Sequence, residues 1–292
     1  MLQERVSTDI FLFTSDLYAQ VTAGVVVTSE GAVLIDTMPF PVETEQILQF
    51  LARRSAGTVR YLIFTHYHAD HIYGASLLPG VPILAHARCR EHLLAHGEEG
   101  LAAARAEVPD LLESVVLRLP DITLDNGEVI LQLGGKTLRI FWAPGHSDDG
   151  IAIYVEEDQV LFAGDAMTPV PTIIDGDPVA LKATLKRFQE LEPETIVRGH
   201  GEVILRGEVR ESLQSAIRYL DLIQEIVAEA AATSDPRRRE ALLRTDIEKC
   251  GISRVALGGE APRLHAANLR SLYSRLLRSG AEITPRTTGR RK

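Results

Sequence analysis

Cysteine is scarce in this 292-residue sequence. Cys89 and Cys250 are too few to staple a disulfide-built fold, and both read as buried, chemically quiet thiols. No apolar run approaches the ~20 residues that a bilayer-spanning helix needs. The opening stretch, MLQERVSTDIFLF, has Glu4 and Asp9 where a secretory leader would be basic and then apolar. These shortages lead us to expect a cytoplasmic protein with no membrane partner. Positive charge is short as well. The 31 Lys and Arg against 40 Asp and Glu leave a formal charge of −9, which argues against a protein built on nucleic-acid phosphates. No repeat of 20–50 residues is present, so solenoids and propellers drop out. Apolar residues are plentiful: at 45% they fill a real core and exclude a largely disordered chain.

The first third carries short β-branched runs at 21–27, 32–36, 60–65 and 82–86, which read as strands. Pro41 opens a helix whose Ile47, Leu48 and Leu51 share a face. Residues 87–118 read as helical, interrupted at Pro109. Strands resume from Ile122, at 129–133, 137–142, 151–155 and 160–163, with hairpin turns at Gly134-Gly135 and Glu157-Asp158. Asp177-Pro178 starts a helix carrying Leu181, Leu185 and Phe188, and a short strand follows at 195–198. From Glu208 the chain is helical, with Leu213, Ile217, Leu220 and Ile223 in one stripe and Leu269, Leu272, Tyr273 and Leu276 in another. Such stripes must bury against something, and the C-terminal helices could cap the active site or form a face for a second copy of the chain.

Chemistry concentrates at Phe64-Thr65-His66-Tyr67-His68-Ala69-Asp70-His71, where three histidines and an aspartate directly follow an apolar strand. On extended backbone, side chains at i and i+2 point the same way, so His66 and His68 can meet one ion, while Asp70 and His71 lie past the turn. Neutral imidazoles and carboxylates suit zinc, with iron and manganese less preferred. Three more ligand-type residues sit just beyond apolar strands, each preceded by glycine: His146 in Pro144-Gly145-His146, Asp165 in Gly164-Asp165 and His200 in Gly199-His200. Glycine lets the backbone turn sharply and approach a pocket closely.

His-x-His-x-Asp-His at 66–71, followed in order by Pro-Gly-His, Gly-Asp and Gly-His, resembles the metallo-β-lactamase superfamily over residues 8–205. The resemblance implies an α/β fold, an αββα sandwich of two facing mixed sheets with helices outside and metals at one edge. It implies a metallo-β-lactamase-fold domain over 1–205; beyond it the residues themselves read as a helical extension over 206–283 and a polar, basic and disordered tail over 284–292. It also implies two divalent ions: His66, His68 and His146 on the first, Asp70, His71 and His200 on the second, and Asp165 bridging both. Asp36 matches a strand-end aspartate that supports ligand histidines, since a metal-bound imidazole usually donates its other N–H to a carboxylate or carbonyl. The implied reaction is hydrolysis by a hydroxide shared between the ions, with Asp70 orienting it or moving a proton.

Asp rather than Cys at 165 resembles the glyoxalase II, lactonase and phosphodiesterase branches. The expected substrate is a small ester, thioester or lactone. The C-terminal basic residues that glyoxalase II uses for glutathione find no match here, and Ala166, Met167 and Thr168 stand where signalling lactonases carry a tyrosine. The alternatives are a phosphodiesterase or RNA-processing nuclease, and an iron-dependent redox enzyme of the same superfamily. Tyr67 and Tyr73 flank the cluster as candidate substrate contacts. The Pro-rich stretch 167–177 and residues 37–41 are candidate pocket walls. His86, His92, His96 and His265 lack the strand-end setting and read as ordinary, and Arg237 to Arg239 read as a solvated helix start.

Overall fold

A computed structural model of the chain describes residues 1–54 and 57–279. The first sheet runs in chain order through β1 (Leu2–Arg5), β2 (Ile10–Thr14), β3 (Thr22–Thr28), β4 (Gly31–Ile35), β5 (Val59–Ile63), β6 (Ile83–His86) and β7 (Ile122–Leu124). Pairing is antiparallel from β1 to β4 and parallel from β4 to β7. Parallel neighbours need crossovers. These are supplied by α1 (Pro41–Arg53), α2 (Ala69–Ile72), and the group α3 (Ala87–His92), α4 (Glu98–Glu107) and α5 (Pro109–Leu112). The second sheet holds β8 (Glu128–Leu133), β9 (Lys136–Trp142), β10 (Ile151–Val155), β11 (Val160–Phe162) and β12 (Thr195–Val197). It is antiparallel except where α6 (Pro178–Leu191) returns the chain so that β12 runs parallel to β11. The helices α7 (Val209–Ala232), α8 (Pro236–Leu243) and α9 (Ala261–Ser279) follow.

Alternation along the strands builds three apolar layers. Ile10, Leu12, Val33 and Ile35 point inward and meet Leu138, Ile140, Ile153 and Phe162 of the second sheet. Their neighbours Phe11, Phe13 and Leu34 point outward onto Ile47, Phe50 and Leu51 of α1. Phe141 and Leu161 point outward from the second sheet onto Leu181, Leu185 and Phe188 of α6, and onto Leu213, Leu220 and Ile223 of α7. The helical stripe therefore buries against the second sheet, and Leu269 of α9 joins the same layer. Each large apolar side chain so buried contributes about 1.5–3 kcal/mol. The result is the expected αββα sandwich with a helical region at the C-terminal end.

Two strands, β1 and β2, go beyond the sequence expectation. β1 (LQER) is mostly exposed and shows no apolar alternation, and β2 (IFLFT) is apolar on both faces because it is covered on both. The helix expected across 87–118, interrupted at Pro109, runs unbroken from Ala87 to Glu107, with a π-turn over Leu93–Gly97 between α3 and α4, and stops before Pro109; residues 113–118 are not helical, and the single turn α5 lies between. α5 starts with Pro109 at its first turn, after Val108 leaves helical geometry at φ −134°. The Gly134-Gly135 turn joins β8 to β9 with φ of 50° and 85°, as a two-residue hairpin requires. The expected tail, 284–292, lies outside the described residues. Among those described, no helix is long and apolar enough to cross a membrane.

Candidate metal centre

The ligand-type residues leave from the carboxyl ends of β5, β9, β11 and β12, where α/β sheets commonly place their sites. Because β11 and β12 are parallel, the loops carrying Asp165 and His200 emerge side by side. The approach is close enough to exclude a side chain at Gly199, where a Cβ would lie 1.9 Å from Asp165 Oδ1. Gly145, at φ 137°, passes Leu181 so tightly that a Cβ would lie 2.3 Å from its backbone. The two sheets are tied at the site by Ile151 N–H donating to Thr65 O at 2.8 Å and by Thr22 N–H donating to Gly199 O at 2.9 Å.

The structure brings together all seven residues that the sequence singled out. They form two groups, His66, His68, His146 and Asp165, and Asp70, His71 and His200, each with its ligand atoms within 4.8 Å of one another. His68 Nδ1 stands 3.0 Å from His66 Nε2 and 3.1 Å from His146 Nε2. Asp165 faces both groups: Oδ2 is 3.5 Å from His146 Nε2 and 3.4 Å from His200 Nε2, and Oδ1 is 3.4 Å from His71 Nε2. Asp70 Oδ2 lies 3.3 Å from His200 Nε2.

Four imidazoles have an outward acceptor for the Nδ1 proton. His146 reaches Thr172 O at 2.8 Å, His200 reaches Ala19 O at 2.9 Å and His71 reaches Asp36 Oδ2 at 3.1 Å. His66 Nδ1 lies 3.0 Å from Thr65 Oγ1, whose own proton goes to Asp36 Oδ2 at 2.7 Å. These bonds select the tautomer with the Nε2 lone pair facing the site. His71 Nε2 and Asp165 Oδ1 are buried with no hydrogen-bond partner. Convergent lone pairs, two carboxylates and orphaned acceptors are the donor set of a cation site, and the residues fit divalent metal ions. Asp36 accepts from Thr65 N and Oγ1, each at 2.7 Å, and from His71. It does so from a left-handed backbone, φ 57°, a conformation that aspartate tolerates better than most residues.

The electrostatics have the same sense. Burial holds His66 well below the usual imidazole value, with His71 and His68 adding to it, and burial with His146 lowers His68 to about 4. Burial would also lower His71 and His200. The carboxylates outweigh it: Asp70, Asp165 and Asp36 hold His71 well above its usual value, and Asp165 and Asp70 push His200 up to about 10. Burial alone would raise Asp70, but His71 and His200 bring it down to about 2. The negative potential that retains these protons is the one a bound cation would fill.

A family model described as the Metallo-beta-lactamase superfamily matches residues 18–200. The chain belongs to that superfamily. Among curated relatives, an atrochrysone carboxyl ACP thioesterase of Paecilomyces divaricatus is 29% identical over 66% of this chain and 55% of its own. A hydroxyacylglutathione hydrolase of Rhodobacter capsulatus is 28% identical over 64% of each. The chain spans about half to two thirds of the length of the curated relatives it matches. Among solved structures, a metallo-beta-lactamase family protein of Thermus thermophilus superposes with a TM-score of 0.67 at 20% identity, covering 95% of this chain and 96% of that one. That likeness carries the metallo-β-lactamase sandwich alone.

Several residues around this centre were not singled out by sequence. Thr65 passes the Asp36 contact on to His66. Asp149, fully buried, accepts Tyr67 N–H at 2.8 Å and so holds the backbone between His66 and His68. Both are ordinary residue types beside the motifs, and only spacing within a motif marks them. His92 reads as ordinary, yet its ring lies 4.5 Å from that of Tyr67 and its Nε2 is 2.7 Å from Asp148 Oδ1. Tyr67 is half-buried, with its ring 4.6 Å from His68. Tyr73 is buried among the apolar residues on the α1 side. In the expected wall 167–177, Met167 and Ile173 are buried in the core, Thr172 supports His146 and Ile174 remains exposed.

Proposed function

We propose that the chain is a dinuclear metal-dependent hydrolase of a small ester, thioester or lactone. His66, His68 and His146 hold one ion, Asp70, His71 and His200 hold the other, and Asp165 lies between them. The observation that carries this reading is the Asp165 carboxylate, whose two oxygens stand 3.4–3.5 Å from nitrogens of both groups. Two divalent ions, zinc by donor chemistry, would supply Lewis acidity toward the substrate's carbonyl oxygen and would acidify a water for attack. Asp36 and Thr65 lock His71 and His66 in the tautomer that ligation requires. Asp70 is ionised at neutral pH and partly exposed, so its Oδ2 can accept a proton from the attacking water and return it to the leaving alkoxide or thiolate.

The thioesterase and hydroxyacylglutathione hydrolase names of two relatives support carbonyl chemistry at a thioester. The absence of a dense Lys/Arg track around 60–75, 143–150, 163–178 and 196–203 in the sequence supports a small substrate over a polynucleotide. The experiment is elemental analysis of protein purified without chelator, coupled to a panel of thioesters, lactones, aryl esters, a phosphodiester and structured RNA. Two ions per chain and the highest kcat/KM on a carbonyl substrate are expected. Fewer than about one ion after reconstitution defeats the dinuclear site. RNA turnover far above every carbonyl substrate replaces this reading with a nuclease.

A further inference from the structure

Arg198 follows β12 and stands two residues before His200. Among the described residues its side chain makes no hydrogen bond and no ion pair, and its Nε is buried without a partner. The side chain as a whole is half-buried, but its Nε–H is shut off from water with no acceptor, and a buried donor left so is costly. The residue lines a half-open cavity of about 250 Å³ bordered by Met167 and Pro169, by Ser212 and Ser215 of α7, and by Ser253. The hydroxyls of Ser212 and Ser215 make no hydrogen bond among the described residues. A charged fork donor and unused hydroxyl donors around a small space form an acceptor-seeking site.

We propose that the Arg198 cavity is an anion subsite, separate from the metal cluster, which takes the carboxylate or phosphate group of a small molecule. Its volume suits such a group with a few attached atoms. Its wall is shared with the metal centre. Met167 is two residues past Asp165, and Pro169 lies against Gly201, where an added Cβ would come within 2.9 Å of its Cγ. The anion has two sources, the tail of the hydrolase's own substrate or a separate small acid, and the chemistry of capture is the same for both.

The binding test needs no substrate. In metal-loaded protein, the Arg198 Nε–H resonance, assigned by its loss in R198Q, is followed by NMR during titration with inorganic phosphate and then with succinate. A saturable downfield shift is expected for at least one of them. It should be lost in Ser215→Leu, which fills the cavity and leaves the arginine in place. Phosphate should raise the thermal midpoint of the wild type but not of R198Q, and without anions R198Q should be about as stable as the wild type, since it gives up one buried N–H donor that has no acceptor. An Arg198 resonance that does not move with either anion, or that moves equally in Ser215→Leu, overturns the proposal. So does a large loss of stability in R198Q without anions, which would mark a packing role. If R198Q does not fold, assignment by R198K and the Ser215→Leu comparison still decide. To separate the sources, KM is measured for a carboxylate-bearing ester and its neutral counterpart. A tail in the cavity raises KM of the charged ester alone in R198Q, by roughly tenfold or more, whereas a separate acid leaves both unchanged. A substrate panel that fails altogether leaves the phosphate titration intact, so the two readings fail separately.

Discussion

Replacing Asp36 by Asn separates orientation from packing at this centre. The carboxylate accepts three donors: Thr65 N and Thr65 Oγ1 at 2.7 Å, and His71 Nδ1 at 3.1 Å. An amide of the same shape keeps one acceptor oxygen, which can stay with Thr65 N. Its NH2 faces the other two donors and can accept from neither. His71 then relieves the clash by moving its proton to Nε2, which turns an N–H into the ligand position, and Thr65 loses the acceptor that sets the His66 tautomer. The change should weaken metal affinity and activity by about 10–100-fold, equivalent to about 1.4–2.8 kcal/mol. The fold should persist, because Asn tolerates the left-handed backbone at φ 57°. Asp36→Ala is the contrast. It strands three buried donors at about 1–3 kcal/mol each and adds backbone strain, so it should lose stability as well as metal. Chelator competition gives the metal affinity, urea denaturation gives the stability, and kcat/KM at matched metal occupancy gives the chemistry. Wild-type affinity and rate in a folded Asp36→Asn protein would refute the tautomer reasoning.

Asp165→Ala and His68→Ala should each reduce hydrolysis by orders of magnitude at matched protein concentration, with metal content falling in parallel in elemental analysis. Gly199→Ala should push the Asp165 carboxylate aside, since the new Cβ would meet Oδ1 at 1.9 Å; a loss of about 10²-fold in kcat is expected, and an unchanged rate would contradict the geometry. Burial raises the thiol pKa of both Cys89 and Cys250, so each stays protonated through neutral pH and the thiolate fraction grows only as pH climbs past the raised value. Native protein should resist iodoacetamide at pH 7.5 and react quickly once unfolded. Cys250→Ser should leave kcat/KM close to the wild type.

The seven ligand-type residues were legible because four of them crowd into six positions after one apolar strand and each of the other three follows an apolar run of its own. Their supports were less so. Ala19 gives its carbonyl to His200 from 181 residues away, out of a loop where Ala19 and Gln20 take positive φ of 42° and 53°, and neither residue type announces that conformation. Thr172 contributes a backbone oxygen, which sequence cannot assign to a partner. β1 escaped notice because an edge strand covered on neither face has no apolar period to display, and β2 because a strand covered on both faces has no polar one. The helix expected across 87–118 had the right composition. Its break at Pro109 was legible too, and only the loss of helix over 113–118 was not.

Asp70, His66, His68 and His71 belong to the loop after β5, whereas His146, Asp165 and His200 belong to loops of the other sheet. Ions clamped between them would act as rivets through a seam. Any breathing motion that parts the two halves would first have to strip coordination from one side, so hydrogen exchange at the amides of Ile151 and Thr22, which donate across the seam, is expected to slow on metal loading far more than at the solvent face of α7. Durability would then follow metal supply: starved of its ions, the sandwich would open along its seam and offer its inner apolar faces to proteases.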